Sequence, residues 1–542
     1  MTSSSAVFES EFSSTTRLKI VNVFRSKLLL LLCKTLPHSR GFITNIDLSK
    51  LIIYLKNIKG LFMLHGLENL KKMVDIEISS DIESIDTNYE PSLDELSPYS
   101  MSDSFSSLLM MNGLLVANIW KHKTGEAQTI TVDHKKAMEM LYRPNFLHIN
   151  DQPLSLDAFK RFESLTHKTK DGYFETITAL EHLHDKTLKV LNCPPEQEAI
   201  EAAYLSKTAQ EWEDIFNEHG LSGTKIRTQQ EFQAHPQGQA LSKLPPIQVK
   251  ALGTGSKVPF RPSERPLSDV KVLDVSHIIA GPSMSTFLAE QGAQVLHIAN
   301  PSAERITSNY LDTGFGKRNA YLNFNKQKDL ETFYQLITET DVYVNGYAPG
   351  RLQEKFGLTE EKLLSINPNL IIVTSSAFGE VGPWANRHGW ENIAQAAVGS
   401  AFDHGTENQP ILCPYGFITD YGTGLMGSIG ILKALHNRAF IGGSQRVSVS
   451  LAQTCMWYQN QGLNSNPQNQ QRSQKKDQEN IDKKFATIHK VISGGNISEN
   501  TIKTPTPFGV ITHLKPVLEY SRTPAYWDKP TSPLGSDFPT WK

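Results

Sequence analysis

Apolar residues recur at helical spacing over 108–120 and stop at Lys121-His122-Lys123-Thr124-Gly125; Thr129, Ile130, Thr131 and Val132 then alternate like a half-buried strand. The unit is helix, glycine turn, strand. It returns further along: Gly113, Ala117, Gly125, Gln128 and Val132 are matched by Gly430, Ala434, Gly442, Gln445 and Val449, each 317 residues on, and Lys121 is matched in charge by Arg438. A gapless register across three consecutive features points to a partial internal duplication rather than to two ordinary amphipathic units. The offset also sets Asp103 opposite Asp420. Asp103 lacks the glycines that follow Asp420 and adjoins an acidic, serine-rich stretch, as expected of a degenerate copy.

Residues 1–77 show no turn grammar, and 78–104 read as an acidic linker. Between about 165 and 260 the pattern is α+β, with a turn and strand over 171–178 and helices over 201–205 and 208–219, the second closed by Gly220. From Val270 short apolar strands (271–275, 294–298, 341–344, 370–373) alternate with helices such as 282–291. That alternation predicts an α/β chain, a Rossmann-like doubly wound parallel sheet domain preceded by a smaller α+β domain. Ligands of such sheets gather at the carboxyl ends of the strands. The expected divisions are 1–104 unassigned and poorly ordered, 105–165 the tail of a first copy, 166–262 the small domain, 263–458 the large domain, 459–502 a polar linker, and 503–542 a segment packing back on the large domain.

Composition narrows the function classes. The 542 residues carry a formal net charge of −2 and no dense Lys/Arg stripe, which excludes a dedicated nucleic-acid binder. Cys33, Cys193, Cys413 and Cys455 lie far apart, so neither a zinc site nor a disulfide framework is expected, and a reducing, cytoplasmic setting fits. The Ser/Thr-rich start, with scattered Arg and Lys, leaves a mitochondrial address open, against which Glu9 and Glu11 count. The apolar run 28–33 falls well short of the roughly 20 residues a membrane span needs, and Thr540-Trp541-Lys542 is no peroxisomal signal.

The first strand-to-helix turn, Ser276-His277-Ile278-Ile279-Ala280-Gly281-Pro282-Ser283, holds one glycine and no GxGxxG, and Ala299-Asn300 follows the second strand where a ribose-binding acid would stand. A dinucleotide is therefore not expected. Gly253-Thr254-Gly255-Ser256-Lys257 lacks P-loop spacing, and HExxH, GxSxG and clustered His/Cys ligands are missing from the sequence, so no metal is assigned. What remains is carboxylates, Asp420 and Glu391, with Lys317 and Arg318 near strand ends. Asp420 lies in Pro414-Tyr415-Gly416-Phe417-Ile418-Thr419-Asp420-Tyr421-Gly422-Thr423-Gly424, ahead of a long apolar helix pattern. It reads either as that helix's N-cap or as a nucleophile for an activated acyl group.

The ordered motifs from Arg265 to Leu451 resemble the family III CoA-transferases, the group of formyl-CoA transferase, carnitine CoA-transferase and α-methylacyl-CoA racemase. The motifs are Arg265-Pro266-Leu267, Val272-Leu273-Asp274, 277–282 (HIIAGP), Gly316-Lys317-Arg318, 341–350 (DVYVNGYAPG), Phe378-Gly379 with Gly382-Pro383, 390–395 (WENIAQ) and Thr419-Asp420. The resemblance implies that Asp420 is the catalytic aspartate and passes through an aspartyl-CoA thioester, with Glu391 assisting. It implies that His277, Ile278, Ile279 and Ala280 form the turn that contacts CoA, and that Lys317, Arg318 and His388 face its phosphates. CoA would then be substrate rather than bound cofactor, the partners an acyl-CoA and a carboxylic acid, with neither nucleic acid nor membrane involved. Family members form interlocked homodimers, which two partial copies in one chain can replace or modify. Residues 171–241 resemble the family's small domain, which here precedes the large one instead of following it.

Three departures bear on substrate. Ile279 stands where formyl-CoA transferase has glutamine, Ala299 replaces a frequent acid, and Trp390 stands where the racemase branch has histidine. Trp cannot exchange a proton at carbon, so racemisation is disfavoured unless His388 reaches the site. A competing reading is a degenerate CoA-binding or assembly protein without catalysis.

Overall fold

Between 78 and 104, where charge suggests a linker, the chain adds a strand and starts a helix. The computed structural model describes residues 66–94, 96–154, 165–253, 255–406, 408–462 and 499–541, which belong to one compact unit spanning 63–542. The expectations for a leader and an apolar run, and most of the polar linker, fall on residues outside these. Strand β1 (Ser84–Thr87) lies parallel to β2 (Ile130–Asp133), with Ser84 opposite Ile130. Helix α1 (Met101–Thr124) begins seven residues ahead of the apolar pattern, because its first turns bury serines beside Met101 and Phe105 and so break the apolar period. Ser102 shows how: its backbone N–H and its hydroxyl both donate to Asp94, each at 2.8 Å. The helix ends on Gly125 at φ 80°, whose N–H bonds to the Lys121 carbonyl, and α2 (His134–Met140) follows β2.

The next region is the small α+β unit. Antiparallel strands Thr166–Lys168, Tyr173–Thr176 and Gly223–Lys225 pack with α3 (Glu181–Leu191) and further helices around Phe174, Tyr204, Trp212 and Phe216. Buried Glu213 ties this unit to the rest by pairing with both Arg227 and Arg387.

A seven-stranded sheet carries the remainder. Its strands are β3 (Gln248–Ala251), β4 (Lys271–Val275), β5 (Gln294–Ala299), β6 (Lys317–Tyr321), β7 (Val342–Asn345), β8 (Ile371–Ser376) and β9 (Gln445–Ser450). They lie in the order β6-β5-β4-β7-β8-β9-β3. The first six are parallel and β3 closes the edge antiparallel. The order in which strands are added reverses at β4, which neighbours both β5 and β7, and this opens a crevice at the strands' carboxyl ends. Around it stand α4 (Ala280–Glu290), α5 (Thr307–Thr313), α6 (Glu391–Val398), α7 (Ile418–Phe440) and α8 (Leu451–Asn460). Two glycines let α7 approach α4: a Cβ on Gly424 would lie 2.0 Å from the Ser283 hydroxyl, and one on Gly427 2.3 Å from the Met284 sulfur. The fold is a mixed α/β one with a mainly parallel sheet.

The sequence repeat has a structural counterpart. Helix α7 starts 317 residues after α1, and α7-β9-α8 follows the same helix, strand, helix order as α1-β2-α2. The two long helices pack together, with Asn112 donating to the Leu425 carbonyl at 3.1 Å and accepting from Ser428 at 2.6 Å. The C-terminal segment forms a hairpin, Thr501–Thr506 with Gly509–Leu514, and then runs back along the large region. There the indole N–H groups of Trp527 and Trp541 donate to the carbonyls of Thr286 and Leu336. Among the described residues no helix is long and apolar enough to cross a membrane.

Candidate active site

The helix-capping role lies with Glu391, not Asp420. Helix α7 begins at Ile418, so Asp420 stands inside its first turn, and Phe417 at the N-cap has no polar side chain to satisfy the exposed N–H groups. Glu391, from the start of α6, does so instead. Its Oε1 accepts the Thr419 N–H at 3.1 Å and its Oε2 the Asp420 N–H at 2.6 Å, and the Thr419 hydroxyl also donates to Oε2. Gln395 adds a bond to Oε1 at 2.6 Å. With the backbone satisfied from outside, the Asp420 side chain is left over.

That side chain is only 6% exposed, and no donor among the described residues reaches its carboxylate. Burial, and then the charge of Glu391, push its pKa well above the ordinary carboxylate range. Burial also raises Glu391, but its donors favour the charged form. Of this coupled pair Glu391 keeps the charge and Asp420 the proton. Once ionised, Asp420 is a poorly hydrated carboxylate with few partners, which favours attack on an electrophile.

Asp420 and Glu391 open into a cleft of about 760 Å³, within the range of small-molecule sites. His277, Ile278, Ala280 and His388 line the same cleft. The turn leaving β4 is shaped by its residues. Ile278 holds φ 70°, an uncommon conformation for a β-branched residue, and a Cβ on Gly281 would lie 2.5 Å from that of Ser276. Beneath the turn, buried Asp274 accepts from the Ser276 N–H at 3.1 Å and from the hydroxyls of Ser276 and Ser285. The His277 ring lies 4.8 Å from that of Tyr347, tilted by 41°, and lines the cleft; the enclosing protein, then His297 and Arg351, hold it below the ordinary imidazole range. His388 is lowered likewise, by burial and then by Arg351 and Lys186.

Three residues singled out in the sequence sit differently. Lys317 reaches the cleft wall, but its ammonium is 3.0 Å from Asp274 and 2.7 Å from the Pro282 carbonyl, a buried pair that fastens α4 to the sheet. Arg318 lies off the cleft and spends its guanidinium on Asp537 and the carbonyls of Phe538 and Thr540. Ile279 is 1% exposed and packs into the core beneath the turn.

Among the described residues, the further cations lining the cleft are Lys186, Arg305, Arg351 and Arg387, the last paired with buried Glu213. Neither Lys186 nor Arg351 is ion-paired among the described residues. Arg351 directly follows the 341–350 motif, behind Gly350 at φ 77°, so a reading carried one residue further would have met it. Lys186 comes from α3 of the small unit and has no such signal in the sequence. Helix α3 is brought there by Glu304, whose carboxylate accepts the N–H groups of Glu181 at 2.7 Å and His182 at 3.2 Å. No cluster of His, Cys, Asp and Glu among the described residues has the arrangement to hold a metal ion.

Comparison with known proteins adds a family. The chain matches the model described as CoA-transferase family III over residues 87–262 and 267–498. It is 31% identical over 322 residues to the acetyl-coenzyme A transferase nodX of Hypoxylon pulicicidum, covering 54% of this chain and 53% of that protein. It is 34% identical over 199 residues to the succinyl-CoA–L-malate CoA-transferase beta subunit of Chloroflexus aurantiacus, covering 34% and 49%. Over 198 residues it is 34% identical to a formyl-CoA:oxalate CoA-transferase of Escherichia coli, covering 34% and 47%. The chain thus spans about half the length of the curated relatives it matches.

Proposed function

For a chain that belongs to CoA-transferase family III, we propose that it moves CoA from an acyl-CoA to a carboxylic acid through Asp420. The carboxylate attacks the thioester carbonyl, giving a mixed anhydride and CoA thiolate. The thiolate then attacks the Asp420 carbonyl, releasing the first acid and leaving an aspartyl-CoA thioester. An incoming carboxylate attacks that thioester, and the thiolate released opens the second anhydride at the incoming acid's carbonyl. Asp420 is regenerated and atoms balance without a resident cofactor. The reaction is group transfer by covalent catalysis.

One observation carries this reading: Glu391 takes the capping hydrogen bonds of α7, so the Asp420 carboxylate, with no donor among the described residues, borders the cleft that His277, Ile278 and Ala280 line. Glu391 fixes the nucleophile's backbone and, by its charge, keeps ionised Asp420 high in energy. We assign the CoA phosphates to Lys186, Arg305 and Arg351, and the pantetheine arm to the 277–280 turn, with His277 and His388 as neutral donors. The sheet order supports a Rossmann-like large domain, and the repeated helix-strand-helix units support a tandem origin.

The test is exchange of labelled CoA between two acids. Asp420→Ala is expected to abolish it while CoA binding persists; retained exchange contradicts the proposal. Run in deuterated water, the reaction should leave the acyl α-carbon unlabelled, whereas deuterium there would point to His388-assisted isomerisation. CoA binding without exchange in the unmodified protein would favour a non-catalytic CoA-binding role.

A further inference from the structure

The first turn of α7 is gripped from a second side. Next to Asp420, the hydroxyl of Tyr421 donates to Asp312 Oδ2 at 2.8 Å. Asp312 is 1% exposed and receives Arg143 Nε at 2.9 Å on one oxygen and 3.2 Å on the other. Arg143 is itself 7% exposed and lies 5.3 Å from the ring of Trp527. These residues come from different parts of the chain: Arg143 from the N-terminal half, before the small unit, Asp312 from α5, and Tyr421 from α7. Helix α5 is also a cleft wall, since its Asn309, Tyr310 and Thr313 line the cavity.

We propose that Arg143, Asp312 and Tyr421 are positioning residues for reaction at Asp420, an inference that rests on the covalent role assigned to that residue. Arg143 pairs with Asp312 inside the protein, where both side chains are buried. Asp312 in turn holds the Tyr421 hydroxyl, and with it the side of the α7 turn that Glu391 does not reach. Glu391 grips the backbone N–H groups of Thr419 and Asp420; Asp312 grips the next side chain. Clamped between them, the nucleophile keeps one distance to an acyl group bound against α5. The N-terminal half thereby contributes to the active site without touching substrate.

Tyr421→Phe removes only the tethering oxygen, and Arg143→Lys keeps a cation beside Asp312. Each is expected to lower kcat for CoA exchange by about tenfold, the scale of a sub-ångström misplacement, with KM for acyl-CoA unchanged. Because the three groups act as one device, the double variant is expected to lose little more than the worse single one. A merely structural role would lower the melting temperature and leave kcat per folded molecule intact. Hydroxylamine trapping separates the two layers of the argument. If the unmodified protein incubated with acyl-CoA yields no adduct on Asp420, the covalent reading falls, and this inference with it. If it yields one, and Tyr421→Phe and Arg143→Lys form it at the same rate with kcat unchanged, or their losses simply multiply, the positioning role is overturned while the covalent role stands.

Discussion

Two buried acids with unequal hydrogen bonding divide the work at the candidate site. Among the described residues Glu391 collects the donors and Asp420 none, so the pair's charge sits on Glu391, which holds the backbone, and the proton on Asp420. Activity should therefore rise with pH through an inflection above the ordinary carboxylate range. Glu391→Gln removes the neighbouring charge that helps raise Asp420, so the inflection should move to lower pH in kcat profiles of CoA exchange; an unmoved inflection would separate the two acids. That Asp420, His277, Ile278 and Ala280 border one cleft was legible because each belongs to a contiguous motif, whereas Ile279 of the same motif packs into the core. Lys186 was not, since only the docking of α3 across the chain brings it to the cleft, and the buried pairing of Lys317 with Asp274 depends on strand neighbours no motif records.

At the scale of elements, the glycines after Asp420 serve a helix crossing. Gly424 and Gly427 admit α4 so closely that the turn leaving β4 and the first turn of α7 share one cleft. Gly424→Ala places a methyl group 2.0 Å from the Ser283 hydroxyl and should cost about 1–3 kcal/mol of stability, read from denaturant unfolding, with a raised KM for acyl-CoA. Unchanged stability would mean that the crossing relaxes freely. Strands β4, β5, β7 and β8 were readable from their apolar runs, as was α7; β3 and β6, which read QVKA and KRNAY, have no such run and were not. The start of α1 was not, because Ser102, Ser104, Ser106 and Ser107 are buried and erase the apolar period there.

Across the whole molecule, two similar arrangements stand 317 residues apart, at the starts of α1 and α7. Ser102 stands on the Asp94 carboxylate much as Thr419 stands on Glu391, and Asp103 follows it as Asp420 follows Thr419. Only the second arrangement faces the cleft, because only it is joined to the parallel sheet and the turn after β4. Asp103→Asn should leave CoA exchange unaltered. Its effect should appear in stability: burial first, then Asp94 and Asp86 against the opposing pull of His134, raise Asp103 to about 7. The folded protein holds a proton there that the unfolded chain gives up near pH 4, so this contribution is complete below about pH 4 and is lost as pH rises to about 7. Melting curves of Asp103→Asn should accordingly fall less between pH 5 and pH 7.5 than those of the unmodified protein, and equal slopes would contradict the assignment.

The central claim is that Asp420 becomes covalently acylated, and the most direct test is to trap it. Incubation with a panel of acyl-CoA esters and hydroxylamine, followed by peptide mapping, should yield a hydroxamate on Asp420 and leave Asp103 and Glu391 unmodified. A protein that exchanges CoA yet carries the label on another residue, or on none, would contradict the account.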